Sequence, residues 1–268
     1  KELSEPYRPG KLREMSFANI IGMVKEYRSL YGFYSDDLVG DYKRTIERLQ
    51  KEQRPAIEQQ FSSFGNILYS ELHDFLNHGH EWIAAYDESL ASVHGLDFTD
   101  LICGVHRLFQ DPVVRERWRS RYSYISVDEM QDTGVLEYKV LEMLWEGNHV
   151  LLCGDYFQTI YEWRGSDPFR LLKQFDADFK PLKIIFYENY RSNWTLFTMA
   201  FKTLQNMFPD LVGSIYTELP RANSERKGKP VLIKGCKNSY LEGRYIYEAI
   251  CALPILAFSC GIIKRHNG

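Results

Sequence analysis

The sequence lacks a paired-cysteine pattern, a membrane-length apolar run and a strong charge of either sign, and each absence removes a class of protein. Five cysteines, Cys103, Cys153, Cys236, Cys251 and Cys260, are scattered with no C-x-x-C pair, which excludes a disulfide framework and a zinc knuckle and points to a reducing cytosol. The longest apolar run, 249–263, is 15 residues broken by Pro254, Ser259 and Gly261. That is short of the ~20 a bilayer span needs, so no membrane partner is expected and the run reads as a helix end followed by a buried strand. The polar start at Lys1, Glu2, Ser4 and Glu5 has no signal-peptide core. A net charge of −3 lacks the broad basic field of a passive nucleic-acid coat, so any nucleic-acid contact must be local.

What is present is a globular composition: 268 residues, 44% hydrophobic, 15% aromatic and 26% charged, enough for one large domain or two ordinary ones. The first part reads as helical. Phe17, Ile20, Ile21, Val24 and Tyr31 share one face at 3.6 spacing, and Ile57, Phe61, Phe64, Leu68, Leu72 and Phe75 make a second stripe with Gly65 as its weak point. Trp82, Ile83, Tyr86 and Leu90 form a third stripe. Phe98, Leu101, Ile102, Val105 and Leu108 form a fourth, with Asp97 placed to cap it. From about Tyr122 short apolar runs alternate with amphipathic stretches, the signature of strand–helix units around a parallel sheet. Strands are predicted at 124–127, 149–153, 182–186 and 231–233, and helices at 135–145, 168–175, 194–207 and 241–252. In such sheets chemistry gathers at the carboxyl ends of strands.

Three polar clusters follow the first three strands. The first, VDEMQDT at 127–133, delivers adjacent Asp128 and Glu129 from an apolar strand. That is how a nucleotide site sets one carboxylate for magnesium and another beside an attacking water. The alternative is a solvated loop in which Asp132 caps the next helix. The second, GDYFQTIYEWRG at 154–165, has Gly154 for a sharp turn and Gln158 as a neutral donor able to reach a phosphate or orient a water. Its Trp163 beside Arg164 is either a stacking face with a cation or ordinary core. The third, ENYRSN at 188–193, offers Arg191 as a planar phosphate clamp and Tyr190 as a stacking ring, or a surface ion pair and a half-buried phenol.

Taken together, in this order and at these separations, the three clusters resemble the motifs of the superfamily 1 UvrD/Rep-type DNA helicases: V-D-E-x-Q-D, G-D-x-x-Q-S-I-Y-x-W/F-R-G and N-Y-R-S. The single change is Thr159 for Ser, and GLDFTDL at 95–101 is similar to the D-F-x-x-L segment upstream. The resemblance spans about 95–235. It implies an α/β fold, a RecA-like P-loop NTPase-type parallel sheet, present in part, with an N-terminal helical subdomain. The domains are then expected at 1–94 (helical insertion), 95–178 (end of the first RecA-like lobe) and 179–268 (start of the second).

The same resemblance implies ATP and Mg2+ as cofactors, with Asp128 holding the metal and Glu129 polarising the water that attacks the γ-phosphate. Gln158 would sense that phosphate and Trp163, with Tyr161 and Arg164, would meet single-stranded or duplex DNA. Tyr190 would stack on the adenine and Arg191 would act as the arginine finger. An intracellular bacterial protein is implied, serving DNA repair with repair or recombination proteins as partners.

One element of that family is missing. No G-x-x-x-x-G-K-[ST] occurs; Gly10-Lys11 and Gly228-Lys229 lack the preceding glycine and the following hydroxyl. Without that loop the β- and γ-phosphates lose their backbone cradle and lysine, so this chain alone is expected to hydrolyse ATP poorly or not at all. Together with a first residue other than Met, this predicts an internal piece of a longer helicase. The competing readings are a non-catalytic helicase-like module that binds DNA or a partner, and a metal nuclease built on Asp128, Glu129 and Asp132, which leaves Gln158, Tyr190 and Arg191 without work. Smaller signals stay bland. His73, Asp74, His78, His80 and Glu81 match no zinc spacing and read as a solvated helix end. Arg115, Arg117, Arg119 and Arg121 read as a solvated helix face, with DNA backbone contact the alternative.

Overall fold

The computed structural model describes residues 14–63, 66–159, 168–216, 218, 220–222 and 234–252. The chain divides into two compact units, Lys1–Leu182 and Lys183–Gly268. It is a mostly helical α/β structure with small sheets, two of them parallel.

In the first unit, α1 (Glu14–Tyr31), α2 (Leu38–Glu52), α3 (Arg54–Gln60) and α4 (Tyr69–Ser92) enclose one core. Ile20, Ile21 and Val24 of α1 meet Tyr42, Ile46 and Leu49 of α2 and Leu72, Phe75 and Ile83 of α4. Each fully buried aliphatic or phenyl group here contributes roughly 1.5–3 kcal/mol. The expected stripe from Ile57 to Phe75 is not one helix: α3 ends at Gln60, and a two-strand hairpin, β1 (Ser62–Ser63) with β2 (Asn66–Ile67), intervenes. Phe61 and Leu72 are still buried in the same core. Ile57, Phe61, Leu72 and Phe75 of that stripe share a core but not a helix, because spacing records facing direction and not chain continuity; Phe64 and Gly65 lie outside the described residues. The third expected stripe belongs to the same α4, and the His73–Glu81 cluster lies within that helix rather than at its end, with His73 and Asp74 exposed. Helix α2 escaped the reading, although Leu38, Tyr42, Ile46 and Leu49 carry its periodicity among many charges.

The first unit continues with α5 (Phe98–Leu108) and α6 (Pro112–Arg119). Asp97 caps α5 as expected, in a reciprocal pair with Asp100, and Asp111 caps α6 just before Pro112. Three carboxylates surround the ammonium of Lys25, a residue only 4% exposed: Asp87 at 3.0 Å, Asp97 at 2.9 Å and Asp100 at 2.5 Å. Burial alone would lower the Lys25 pKa; the hydrogen bonds it donates to Asp100 and Asp97 and the charge of Asp87 outweigh it and hold the group above its ordinary value. This network ties α1 to the end of α4 and to the cap of α5, and no spacing in the sequence announced it.

Then come β3 (Tyr124–Val127), α7 (Val135–Trp145), β4 (His149–Leu152) and α8 (Pro168–Phe179). β3 and β4 pair in parallel, Tyr124 opposite His149 through Val127 opposite Leu152. Ile125, Val127, Val150 and Leu152 pack on a core of Met130, Tyr138, Trp145, Leu171 and Phe175. The alternate residues face outward, and Tyr124 stacks on His149 at 4.8 Å. β4 ends one residue before the expected 153, but the Cys153 N–H still donates to the Val127 carbonyl at 2.8 Å.

The second unit holds β5 (Glu188–Asn189), α9 (Trp194–Met207), α10 (Pro209–Ile215), β6 (Arg221–Ala222) and α11 (Ser239–Cys251). β5 and β6 pair in parallel. Helix α9 has the expected bounds, capped by Asn193, and α11 starts two residues before 241 because Asn238 caps it. The strand expected at 182–186 does not form. Leu182, Ile184 and Phe186 are 88%, 71% and 82% exposed, and an apolar run becomes a strand only where a neighbour takes its backbone groups and a layer covers it. Pairing begins only at the Tyr187 carbonyl, which accepts from Arg221 N–H at 2.7 Å. The strand expected at 231–233 lies outside the described residues.

Candidate functional site

β3 and β4 run parallel and in register, so their carboxyl ends lie side by side and the polar segments after them meet. The acidic turn leaves β3 at Asp128. Its Oδ1 accepts the Glu129 N–H at 3.0 Å, and both side chains are exposed. Glu129 takes a left-handed backbone, φ 51° and ψ 41°, a conformation costly for a residue with a Cβ and frequent at functional sites. A single 3-10 turn, Met130–Asp132, follows. The buried Met130 fixes it to the sheet, its N–H donating to the Cys153 carbonyl at 2.9 Å.

Two residues that the sequence reading did not single out join the turn to the segment after β4. Gln131, 2% exposed, donates from Nε2 to Glu129 Oε2 at 2.6 Å and accepts at Oε1 from Asp155 N–H at 2.9 Å. Asp155 uses both oxygens, accepting Phe157 N–H at 3.0 Å and the Gln158 side-chain amide at 2.8 Å. Gly154 lets the strands meet this closely, since a Cβ there would stand 2.8 Å from Gln131 Oε1. The signal for both was their position inside the motifs; only packing could assign them partners.

Asp132 does not cap α7. Gly134 is the cap residue, its N–H donating to Glu137 Oε2 at 2.8 Å, while Asp132 Oδ1 is buried without a hydrogen-bond partner among the described residues. Among the described residues no group of three or more His, Cys, Asp or Glu could cage a metal, and Mg2+ characteristically takes one or two carboxylates plus water and substrate phosphates. Asp128 is such an exposed carboxylate at a strand end, with one oxygen engaged by a backbone N–H.

The site residues of the third cluster lie in the second unit. Tyr190 is 69% exposed, its hydroxyl donating to Glu188 Oε2, a contact that raises the phenol pKa. Asn189 Oδ1 accepts the N–H groups of Arg191 at 3.1 Å and Ser192 at 2.8 Å, turning the chain into α9 and leaving Arg191 exposed. Tyr161, Trp163 and Arg164 lie outside the described residues. In the basic run, Arg119 pairs with Glu116 and Glu146, and the Arg121 guanidinium lies over the Trp118 ring.

A model of the UvrD/REP helicase N-terminal domain matches residues 12–180. The match takes in the helical region and ends before Tyr190. The chain is 37% identical over 178 residues to an ATP-dependent DNA helicase Rep of Buchnera aphidicola, covering 64% of this chain and 26% of that protein. It is 32% identical over 175 residues to a DNA helicase II of Haemophilus influenzae, covering 63% and 23%. It is 32% identical over 187 residues to an ATP-dependent DNA helicase PcrA of Staphylococcus aureus, covering 69% and 23%. The chain thus spans about a quarter of the length of the curated relatives it matches.

Proposed function

The chain belongs to the UvrD/Rep helicase family through that family's N-terminal domain, and from this premise we propose that it supplies part of the ATP-hydrolysing and DNA-gripping machinery of a DNA helicase or translocase. The observation that carries the reading is the meeting of two polar segments at adjacent parallel strand ends, with Asp128 and Glu129 on one and Asp155 and Gln158 on the other. In this reading β3 and β4 are strands of a RecA-like sheet. Residues 1–94 form a helical insertion, 95–178 the end of the first lobe and 179–268 the start of the second.

Glu129 takes a proton from the water attacking the γ-phosphate, and Gln158 contacts that phosphate. Asp128 would hold magnesium, which would supply charge neutralisation at the phosphates. Tyr190 stacks on the adenine, Arg191 stabilises the transferring phosphoryl group, and Trp163, Tyr161 and Arg164 contact single-stranded DNA. The setting is bacterial and cytoplasmic, with DNA repair or recombination proteins as partners. Turnover needs a phosphate-cradling loop that these 268 residues do not contain. That same feature favours the second reading, a helicase-like module that binds DNA or a partner without catalysis.

Glu129→Gln, made in the protein that carries this chain, separates the two. The enzyme reading expects turnover to fall by about 10²–10⁴-fold with ATP binding retained. Unchanged turnover removes Glu129 as the base.

A further inference from the structure

The assignment of Glu129 as base leaves open what aims it. Its carboxylate is exposed, on a left-handed residue at the end of a strand, and a free glutamate there would sample several rotamers. Among the described residues one side-chain donor restrains it, and that donor, Gln131, is buried with both ends of its amide engaged. A residue needed only to fill this space could be apolar; a buried amide is retained at low cost only where its partners are in place. The partner at its other end is the backbone of Asp155, whose side chain in turn holds Gln158. Hydrogen bonds therefore run without a break from the Glu129 carboxylate through Gln131 and Asp155 to the Gln158 amide. Gly154 keeps the passage open, since a Cβ there would meet Gln131 Oε1 at 2.8 Å.

We propose that Gln131 is a positioning residue: its amide locks the Glu129 carboxylate to the Asp155–Gln158 segment, so that the proton acceptor and the phosphate contact keep one geometry. The proposal rests on the reading of Glu129 as base.

The test uses the protein that carries this chain, with saturating single-stranded DNA and Mg2+, and measures kcat, KM for ATP and the thermal midpoint. Gln131→Leu keeps the volume and removes both hydrogen bonds. Gln131→Glu keeps the acceptor for Asp155 N–H and sets a second carboxyl group against Glu129 in place of the amide. Both are expected to lower kcat by about 10–100-fold, the scale of an ångström of misplacement, with KM for ATP within about twofold. Gly154→Ala, which presses on the same amide from the segment after β4, gives the same split if Gln131→Leu does not fold. A folded Gln131→Leu protein with wild-type kcat overturns the proposal, whether or not it is less heat-stable. Glu129→Gln, run alongside, keeps the two failures apart. If it is inactive while the Gln131 variants turn over normally, only the positioning role falls; if it turns over normally, or the wild type hydrolyses no ATP, the base assignment falls and the proposal with it.

Discussion

Lys25→Met tests whether the buried ion network holds the helical region to the start of α5. The substitution keeps the length and apolar stem of Lys25 but leaves Asp87, Asp97 and Asp100 facing one another around a methyl group. Removing one partner of a buried ion pair costs about 3–5 kcal/mol, because the charge left behind has lost its water and its counter-ion. The three carboxyl groups keep 18%, 24% and 22% exposure, so water reaches them and the lower end applies, about 3 kcal/mol. With a urea slope of about 2 kcal/mol/M, the midpoint falls by roughly 1.5 M. The dependence on pH carries the sign. In the wild type, Lys25 and the Asp100 N–H outweigh burial and hold the Asp97 carboxyl below its ordinary pKa. Its contribution is therefore full above the ordinary carboxylate range and is lost as pH falls through the lowered folded value. Without Lys25 the clustered carboxylates prefer to stay protonated, so the variant gains relative stability as pH falls. Urea titrations followed by helix circular dichroism at pH 7 and near pH 4 should show the gap between the two proteins shrinking in acid. A midpoint change under about 0.5 M at pH 7, or a gap independent of pH, would refute the reasoning.

Two further outcomes follow from the same physics. Gln110 Nε2 can only donate, so His106 Nε2 accepts and its Nδ1 carries the proton toward Ser29 Oγ. Burial lowers the His106 pKa, so stability declines as pH drops below about 6.5, by at most about 1.4 kcal/mol per pH unit; His106→Asn should flatten that slope in denaturation curves, and an unchanged slope would assign it elsewhere. If Trp163 is a base platform, Trp163→Ala in the protein that carries this chain weakens single-stranded DNA binding by ~1–3 kcal/mol in a fluorescence titration, with ATP affinity kept; normal DNA binding by a folded variant returns Trp163 to the core.

Local signals in the sequence were as reliable as the physics that wrote them. Strand β3 and helices α7 and α9 have the expected bounds. In each, period and flanking polar residues agree over a few residues of chain, and a cap such as Asn193 acts within one turn. The misplaced elements needed information from elsewhere in the chain. Residues 182–186 have the composition of a strand and no partner, and the 57–75 stripe follows a shared core across a hairpin that period alone cannot register. Lys25 shows the same limit most plainly, since its partners, on α4 and at the start of α5, lie more than sixty residues away in sequence.

The candidate site divides along that line. Asp128, Glu129 and Gln158 could be singled out as candidates from residue type and from position after a strand. Gln131 and Asp155 stand in the same motifs, but the side-chain amide of one accepts from the backbone N–H of the other, and that relation exists only once β3 and β4 lie in register. A slip of one residue between these strands would carry Asp155 away from Gln131 and turn its side chain to the opposite face. The pairing of Val127 with Leu152 and the anchor from Met130 N–H to the Cys153 carbonyl therefore set the geometry of the candidate site as directly as its charged residues do. Apolar packing beneath the turn, through Met130 on Tyr138 and Trp145, is what holds an exposed carboxylate in a strained backbone where an attacking water could meet it.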